Sequence, residues 1–380
     1  MKEIKLKAMA KINLGLDVTR KREDGYHEVR MIMQSINMYD QIRLSPLEEP
    51  QIRVKTNVSF LPVNEDNLVY KAAKLLMDEF QVTSGVEIDL RKFIPTAAGM
   101  GGGSSDAAAV LVGVNRMFQL GLTKRELMER SVAIGADVPF CVLRGTALAE
   151  GIGEILTPLP SLPKCFVLIA KPPINVSTKF VYTNLRANEL TCHPDIDGQI
   201  RALQDGDLEA VCKKMGNVLE TVTIPAYPII QTIKDKMMQC GAVNAMMSGS
   251  GPTVFGIFNE REQAEKAAAQ VLINKRSREN AESARVNIKK KLEKNIDIAN
   301  RVEKFVNCRS KDADKRELYI VEGDSALVSV KLARDPVYQA VMPVRGKTLN
   351  CLKSTYDKIF KSDIIVDLLK VIGCGVELSG

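Results

Sequence analysis

The sequence predicts an α/β (α+β) chain, with strands and helices alternating over most of its length, in more than one domain. Three observations carry that prediction. A strand pattern at 86–90 leads into a glycine-rich stretch and then straight into the alanine-rich run Ala107-Ala-Ala-Val-Leu-Val. Helix-periodic stretches at 67–80 and 122–134 alternate with apolar, strand-like runs at 2–19, 165–171 and 254–258. The 380 residues leave room for two or three domains, and their charge is unevenly spread. From Ile273 onward there are 22 Lys and Arg against 15 Asp and Glu, which is +7; of the totals, 53 and 46, that leaves 31 of each sign before it.

Composition narrows the classes. No apolar run reaches the roughly eighteen residues a membrane helix needs, and the opening Met1-Lys-Glu-Ile-Lys-Leu lacks the apolar block of a signal peptide, so a cytoplasmic chain is expected. Eight cysteines are scattered without a paired metal or redox spacing, and only His27 and His193 are available as imidazoles. Zinc chemistry and a histidine triad are therefore poorly supplied.

Taken in order, residues 2–19 read as one or two opening strands, and they carry Lys11 and Asn13 in the apolar context Ala10-Lys-Ile-Asn-Leu14. The ordinary fate of such a lysine is an edge-strand surface. Asp24-Gly25 marks a turn that presents Tyr26 and His27, a pair that more often serves packing than recognition. Helix 67–80 has Asp66 as its expected N-cap. The stretch Pro95-Thr-Ala-Ala-Gly99-Met-Gly101-Gly102-Gly103-Ser104-Ser105-Asp106 then feeds a helix. Glycines let a ligand approach the main chain, and a first helical turn offers unpaired N–H groups, so this is either a phosphate cradle or a plain loop capped by Ser104 or Ser105. It lacks the Lys-Ser/Thr of a P-loop, and the spaced-glycine dinucleotide pattern is not met.

Helix 122–134 closes at Gly135-Ala-Asp137-Val-Pro139, where Asp137 reads as a turn former. Residues 145–153 read as a second small-residue loop. A strand at 165–171, helices near 206–221 and 227–239, the loop Ser248-Gly249-Ser-Gly251-Pro-Thr253, a strand at 254–258 and a helix at 261–272 complete the first part.

The Pro95–Ala108 stretch resembles the phosphate loop of the GHMP kinases, small-molecule kinases named for galactose, homoserine, mevalonate and phosphomevalonate, whose pattern is Pro-x-x-x-Gly-Leu-Gly-Ser-Ser-Ala-Ala. The longer glycine run and Asp106 depart from most members and match one branch. With Asp-Gly-Tyr26-His27, the Asp137 turn and Ser248–Thr253 in the family order, residues 7 to 272 resemble the branch that phosphorylates a cytidine-diphosphate-linked methylerythritol in non-mevalonate isoprenoid synthesis. The resemblance implies a ribosomal-protein-like N-terminal domain at 1–158, a ferredoxin-like C-terminal domain at 159–272 without its last strand, and a cleft between them. It implies ATP and Mg2+, with Lys11 and Asp137 as catalytic residues. Pro95, Gly99, Gly101, Gly102, Gly103, Ser104, Ser105 and, more weakly, Asn67 would hold ATP, with Ser104 or Ser105 near the metal. Asn13, Tyr26, His27, Tyr182, Ser248, Gly249 and Gly251 would hold the CDP-linked substrate, its cytosine lying between the Tyr26–His27 turn and Tyr182. A monomer or homodimer without membrane contact is expected; a mevalonate- or homoserine-type kinase is the nearest rival.

The tail, 273–380, has another character. A charged stretch at 274–290 reads as a linker helix. Glu317-Leu-Tyr-Ile-Val-Glu322-Gly-Asp-Ser-Ala326, then Arg345-Gly-Lys347 and Gly373-Cys-Gly375, resemble the TOPRIM region of the B-type subunit of type II topoisomerases. There Glu322 would be a metal ligand, but the family's Asp-x-Asp pair is lacking, and one carboxylate is not a magnesium site. The expectation is an incomplete segment with, at most, weak salt-dependent contact to nucleic acid.

Overall fold

The computed structural model describes residues 2–270, 302–346 and 362–372. The chain divides into two compact units, Met1–Val271 and Leu272–Gly380.

The first unit opens on a long hairpin, β1 (Ile4–Lys21) and β2 (His27–Leu47), turned by Asp24-Gly25. The opening is thus one strand, and it is bulged: its register against β2 shifts between Met9 and Lys11, Asn13 and Gly15, and Val18 and Arg20. A bulge removes a residue from the ladder and re-aims its backbone. At the first one, the Lys11 N–H leaves β2 and donates to the Met100 carbonyl at 3.0 Å.

Around the hairpin, β3 (Ile52–Thr56) and β4 (Gly85–Arg91) extend the sheet past one end of β2, while β5 (Thr146–Glu150) and β6 (Ile155–Leu159) attach to the other. The loop expected at 145–153 is therefore a correction: Thr-Ala-Leu-Ala is a buried strand whose small side chains fit a crowded sheet and whose register runs Met31 against Ala149. Helices α1 (Leu68–Glu79) and α2 (Gly102–Met117) pack on this sheet. The cap of α1 is Asn67, not Asp66; Asn67 Oδ1 accepts from the Val69 N–H at 3.1 Å. Helix α3 (Lys124–Ser131) is shorter than 122–134 because Thr123 and Glu126 form a capping box at its start. A further helix, α4 (Val138–Leu143), occupies the place where only a turn is expected.

The second half contributes an antiparallel sheet in the order β7 (Phe166–Ala170), β10 (Val254–Phe258), β9 (Asn244–Met247). Helices α5 (Thr178–Asn184), α6 (Ile196–Asp205), α7 (Leu208–Lys213), α8 (Glu220–Ala226) and α9 (Ile229–Gln239) accompany it, and α10 is helical over 261–270. The helix expected at 206–221 is broken by β8 (Gly216–Asn217), which pairs parallel to β1 at Gly15 and Leu16 and so joins the first sheet.

In the second unit, β11 (Glu317–Glu322), α11 (Gly323–Ala333) and β12 (Gln339–Val344) form a βαβ turn with the strands parallel, Glu317 against Gln339. Its described core is Leu327, Ala340, Val341 and Met342. A separate helix spans Asp363–Ile372. The charged stretch at 274–290, Lys347 and Gly373–Gly375 lie outside the described residues.

Candidate functional site

The site is assembled by β1, the glycine loop, the start of α4 and the β9–β10 loop. Lys11 is 5 % exposed and not the edge-strand surface lysine that composition favours. Its Nζ donates to Asn13 Oδ1 at 2.9 Å and stands 3.5 Å from Asp137 Oδ2. Asn13 is itself fully buried and donates to the Met31 sulfur, so it acts on the cleft through Lys11. Asp137 sits at the N-cap of α4, yet its carboxylate does not cap that helix. Pro139 takes away one N–H of the first turn, and the carboxylate is left for Lys11.

The glycine loop packs against the Lys11 side of this pair. Gly101 has φ +64°, and a Cβ there would come within 3.0 Å of Lys11 Cγ. Gly99 has φ +70°, and a Cβ would strike the Ser248 carbonyl at 2.2 Å. Both positions need glycine for conformation and for space. Ser248 is fully buried and donates its hydroxyl to the Gly99 carbonyl at 2.9 Å, so the β9–β10 loop clasps the glycine loop. That second loop is held in turn by Asn217, whose Nδ2 donates to the carbonyls of Met247 (2.9 Å) and Gly249 (2.8 Å). Gly251 turns it back at φ +88°, its N–H on the Ser248 carbonyl.

A cavity of about 370 Å³ opens on the other side of the glycine loop, lined by Asn67, Leu68, Leu90, Pro95 and the run from Thr96 to Ser104. Of the two serines, only Ser104 lines it. Ser105 is 2 % exposed and donates its hydroxyl to the Met9 carbonyl at 2.6 Å. Ser105 thus pins α2 to β1 and is not presented as a metal-side oxygen. Asn67 lines the cavity, but its amide is used at both ends, accepting from Val69 and donating to the Pro62 carbonyl at 2.7 Å.

Of the ring residues, His27 and Tyr182 are brought together, centroids 5.2 Å apart and tilted by 48°. That is direct ring contact, so no base-wide gap separates them. Tyr26 is 61 % exposed in the Asp24 turn. Burial, with a smaller contribution from Asp137, pushes the Tyr182 hydroxyl far up. Burial and then Lys21 hold the His27 imidazole below its usual range, so the ring is neutral at pH 7. Thr178, on the helix that carries Tyr182, shares a 2.9 Å hydrogen bond with Ser250, tying the ring pair to the β9–β10 loop.

Sequence reasoning missed Asn217, Ser250 and a buried charge cluster of Asp40, Lys92 and Asp106. The Lys92 ammonium donates to Asp40 Oδ2 and, at 2.6 Å, to Asp106 Oδ2. Burial holds the Asp106 carboxyl well above the usual carboxylate range, against the pull of Lys92 and with Asp40 adding to the rise. Asp106 is visible in the glycine motif as a departure; Asp40 and Lys92 carry no local signal. Glu322 ends β11 as an exposed side chain, and its neighbour Asp324 is paired with Lys304 and Arg345. Among the described residues, no group of three or more His, Cys, Asp or Glu could hold a metal ion. No described helix is long and apolar enough to cross a membrane.

Residues 67–145 match the GHMP kinases N terminal domain and residues 199–276 the GHMP kinases C terminal domain. A 4-diphosphocytidyl-2-C-methyl-D-erythritol kinase of Lachnospira eligens is 59 % identical over 275 residues, which is 72 % of this chain and 95 % of that protein. The enzyme of the same name from Alkaliphilus oremlandii is 53 % identical over 268 residues, 70 % of this chain and 92 % of its own. A crystal structure of a 4-(cytidine 5'-diphospho)-2C-methyl-D-erythritol kinase superposes with a TM-score of 0.63 at 32 % identity, covering 71 % of this chain and 96 % of that one. Homoserine kinase from Cytophaga hutchinsonii shares the fold, with a TM-score of 0.59 at 21 % identity over 70 % of this chain and 89 % of its own.

Proposed function

Because this chain belongs to the GHMP kinases, we propose that it transfers the γ-phosphoryl group of ATP to a hydroxyl of 4-diphosphocytidyl-2-C-methyl-D-erythritol, giving the 2-phosphate for isoprenoid precursor synthesis. The observation that carries this reading is that Lys11, packed against the glycine loop, also meets the Asp137 carboxylate. Phosphoryl transfer needs in-line positioning, stabilisation of charge on the transferring group and an acceptor for the hydroxyl proton. Asp137 Oδ2 takes that proton as the oxygen attacks. The Lys11 ammonium, fixed by Asn13, opposes the negative charge that builds on the γ-phosphoryl oxygens. The N–H groups at the start of α2 hold the phosphates, and the cavity beside the loop receives the rest of the nucleotide.

ATP fits the glycine cradle, whose close backbone approach leaves no room for side chains. Mg2+ would come with the phosphates, with Ser104 as the oxygen offered from the protein side; when bound, it neutralises charge on the phosphate oxygens. The His27–Tyr182 pair supports a cytidine-linked acceptor over a mevalonate- or homoserine-type one. Neutral His27 can both donate to and accept from a pyrimidine edge. Admitting cytosine between the rings requires them to part, whereas binding on the outer face of either ring does not.

The test is ADP release by the full chain with ATP, Mg2+ and the CDP-linked alcohol, beside Asp137→Asn. Turnover that falls by about 10²–10⁴ in the variant is the expected result. Soluble, folded protein without turnover sinks the assignment, and turnover on mevalonate or homoserine unaffected by CMP redirects it to the rival kinases.

For the tail we infer a TOPRIM-like segment. The strand that ends at Glu322, the helix that starts at Gly323 and the parallel β12 support that reading. With Asp324 engaged by two cations, it is read as a segment without strand-cleaving chemistry. Salt-dependent DNA retention by the full chain, absent from a chain ending at residue 276, would show a nucleic-acid contact; equal retention by both would remove it.

A further inference from the structure

The charge cluster beneath the glycine loop takes no part in the chemistry above, yet it touches both ends of that loop. Asp40, on β2, is fully buried. Its Oδ1 accepts from the N–H of Phe93 and, at 2.8 Å, of Ile94, the residues through which the chain leaves β4 for the loop. Its Oδ2 accepts from the Lys92 ammonium, whose side chain is 5 % exposed. The same ammonium reaches Asp106 Oδ2 at 2.6 Å, in α2, where the loop has ended. One buried cation therefore joins the entry of the loop to its exit. Lys92 and Asp106 also line the cavity beside the loop. Gly102 keeps the passage open: a Cβ there would lie 3.2 Å from Lys92 Nζ.

We propose that Asp40, Lys92 and Asp106 form an ionic clip that presets the phosphate loop, and that Lys92 is a positioning residue for the nucleotide. This rests on the reading of the loop as the ATP site. A run with glycine at 99, 101, 102 and 103 has the widest choice of backbone conformations, so presenting convergent N–H groups costs conformational entropy on each binding event unless the ends are already fixed. Ser248 and Lys11 hold the middle of the loop, at Gly99 and Met100. The clip holds its ends. An apolar contact would slide; an ammonium between two carboxyl groups fixes a point, and removing Lys92 leaves the buried Asp40 carboxylate without its counter-ion. The Lys92 ammonium is engaged by the two aspartates, so its effect on the nucleotide is exerted through the backbone of the loop.

The experiment titrates Mg-ADP into the full chain by calorimetry and follows steady-state kinetics beside it, for wild type, Lys92→Met, Lys92→Arg and Asp106→Asn. Lys92→Met is expected to weaken Mg-ADP binding by about tenfold or more and to raise the KM for ATP in step, with the KM for the alcohol acceptor within about twofold of wild type. Asp106→Asn keeps an acceptor for the ammonium and removes one carboxylate, so it is expected to weaken Mg-ADP binding by less than Lys92→Met does; a larger loss than in Lys92→Met overturns Lys92 as the point that joins the two ends. A folded Lys92→Met with wild-type affinity overturns the clip. So does an acceptor KM that rises as far as the ATP KM, since general loosening of the fold would do that. If Lys92→Met does not fold, Lys92→Arg decides: its larger planar head cannot occupy the same point, and unchanged affinity overturns the proposal. The titration needs no acceptor, so wild type that binds Mg-ADP without phosphorylating the alcohol sinks the substrate assignment and still tests the clip. Wild type that does not bind Mg-ADP overturns both.

Discussion

At the scale of the residue, the decisive feature is how the buried polar groups of the site are paired, since each pairing states a role. Asn13 Oδ1 is the acceptor that fixes the Lys11 ammonium, so Asn13→Ala should lower kcat by about tenfold while leaving the KM for ATP near wild type. Steady-state kinetics with both substrates would check this, and a loss confined to KM would place Asn13 in binding instead. Gly99→Ala meets both a left-handed φ and the Ser248 carbonyl. It should destabilise the chain by about 1–3 kcal/mol and weaken nucleotide binding, read as a lower Tm and a higher Kd. His27 titrates below the ordinary histidine range because burial disfavours its cation. Acceptor binding through a neutral ring should therefore hold as pH falls past about 6.5, the ordinary value, and weaken only at lower pH. A KM for the acceptor that already rises between pH 7 and 6.5 would contradict the neutral-ring role.

At the scale of the element, a site residue is defined by which groups its element leaves unspent. Asp137 occupies a cap position and does not cap, so α4 delivers a free carboxylate to Lys11. Ser104 and Ser105 are neighbours in sequence and a helical step apart. One faces the cavity, and the other is buried against Met9. Ser105→Ala should cost about 1 kcal/mol of stability with the Mg2+ dependence of turnover unchanged, whereas Ser104→Ala should raise the Mg2+ requirement. A Mg2+ titration of both variants separates the roles, and a shift in Ser105→Ala alone would reverse the assignment. The small-residue stretch Thr146–Glu150 shows where local reading fails. Small residues mark a loop when they are exposed and a tight sheet when they are buried, and burial depends on β2, more than a hundred positions away.

At the scale of the whole molecule, the two compact units differ in composition as well as in fold. The chain before Ile273 balances 31 basic against 31 acidic residues, and all of the excess charge, +7, belongs to residues 273–380. Since the glycine loop and Lys11–Asp137 lie in the first unit, Mg-ATP should raise the melting temperature of that unit alone. Calorimetry of the full chain should then show one ligand-shifted transition and one that does not move. A single transition that moves as a whole would mean that the units unfold together.

Features that depend on near neighbours could be read from the chain alone. The glycine run ahead of a helix, the Asp-Gly turn before His27 and the Ser248–Thr253 loop were legible because spacing along the chain sets backbone geometry over a few residues. So was the change of character after Leu272, which is a matter of composition. Which of those pieces meet was set by long-range packing. Lys11 and Asp137 lie 126 positions apart, the two glycine loops join through Ser248 and Gly99 at a separation of 149, and Lys92 reaches Asp40 across 52. It also set His27 against Tyr182 and turned Ser105 inward. Such contacts are chosen by burial. A charge or hydroxyl taken out of water must find a partner, and the partner is whatever the packed sheets and helices bring within about 3 Å.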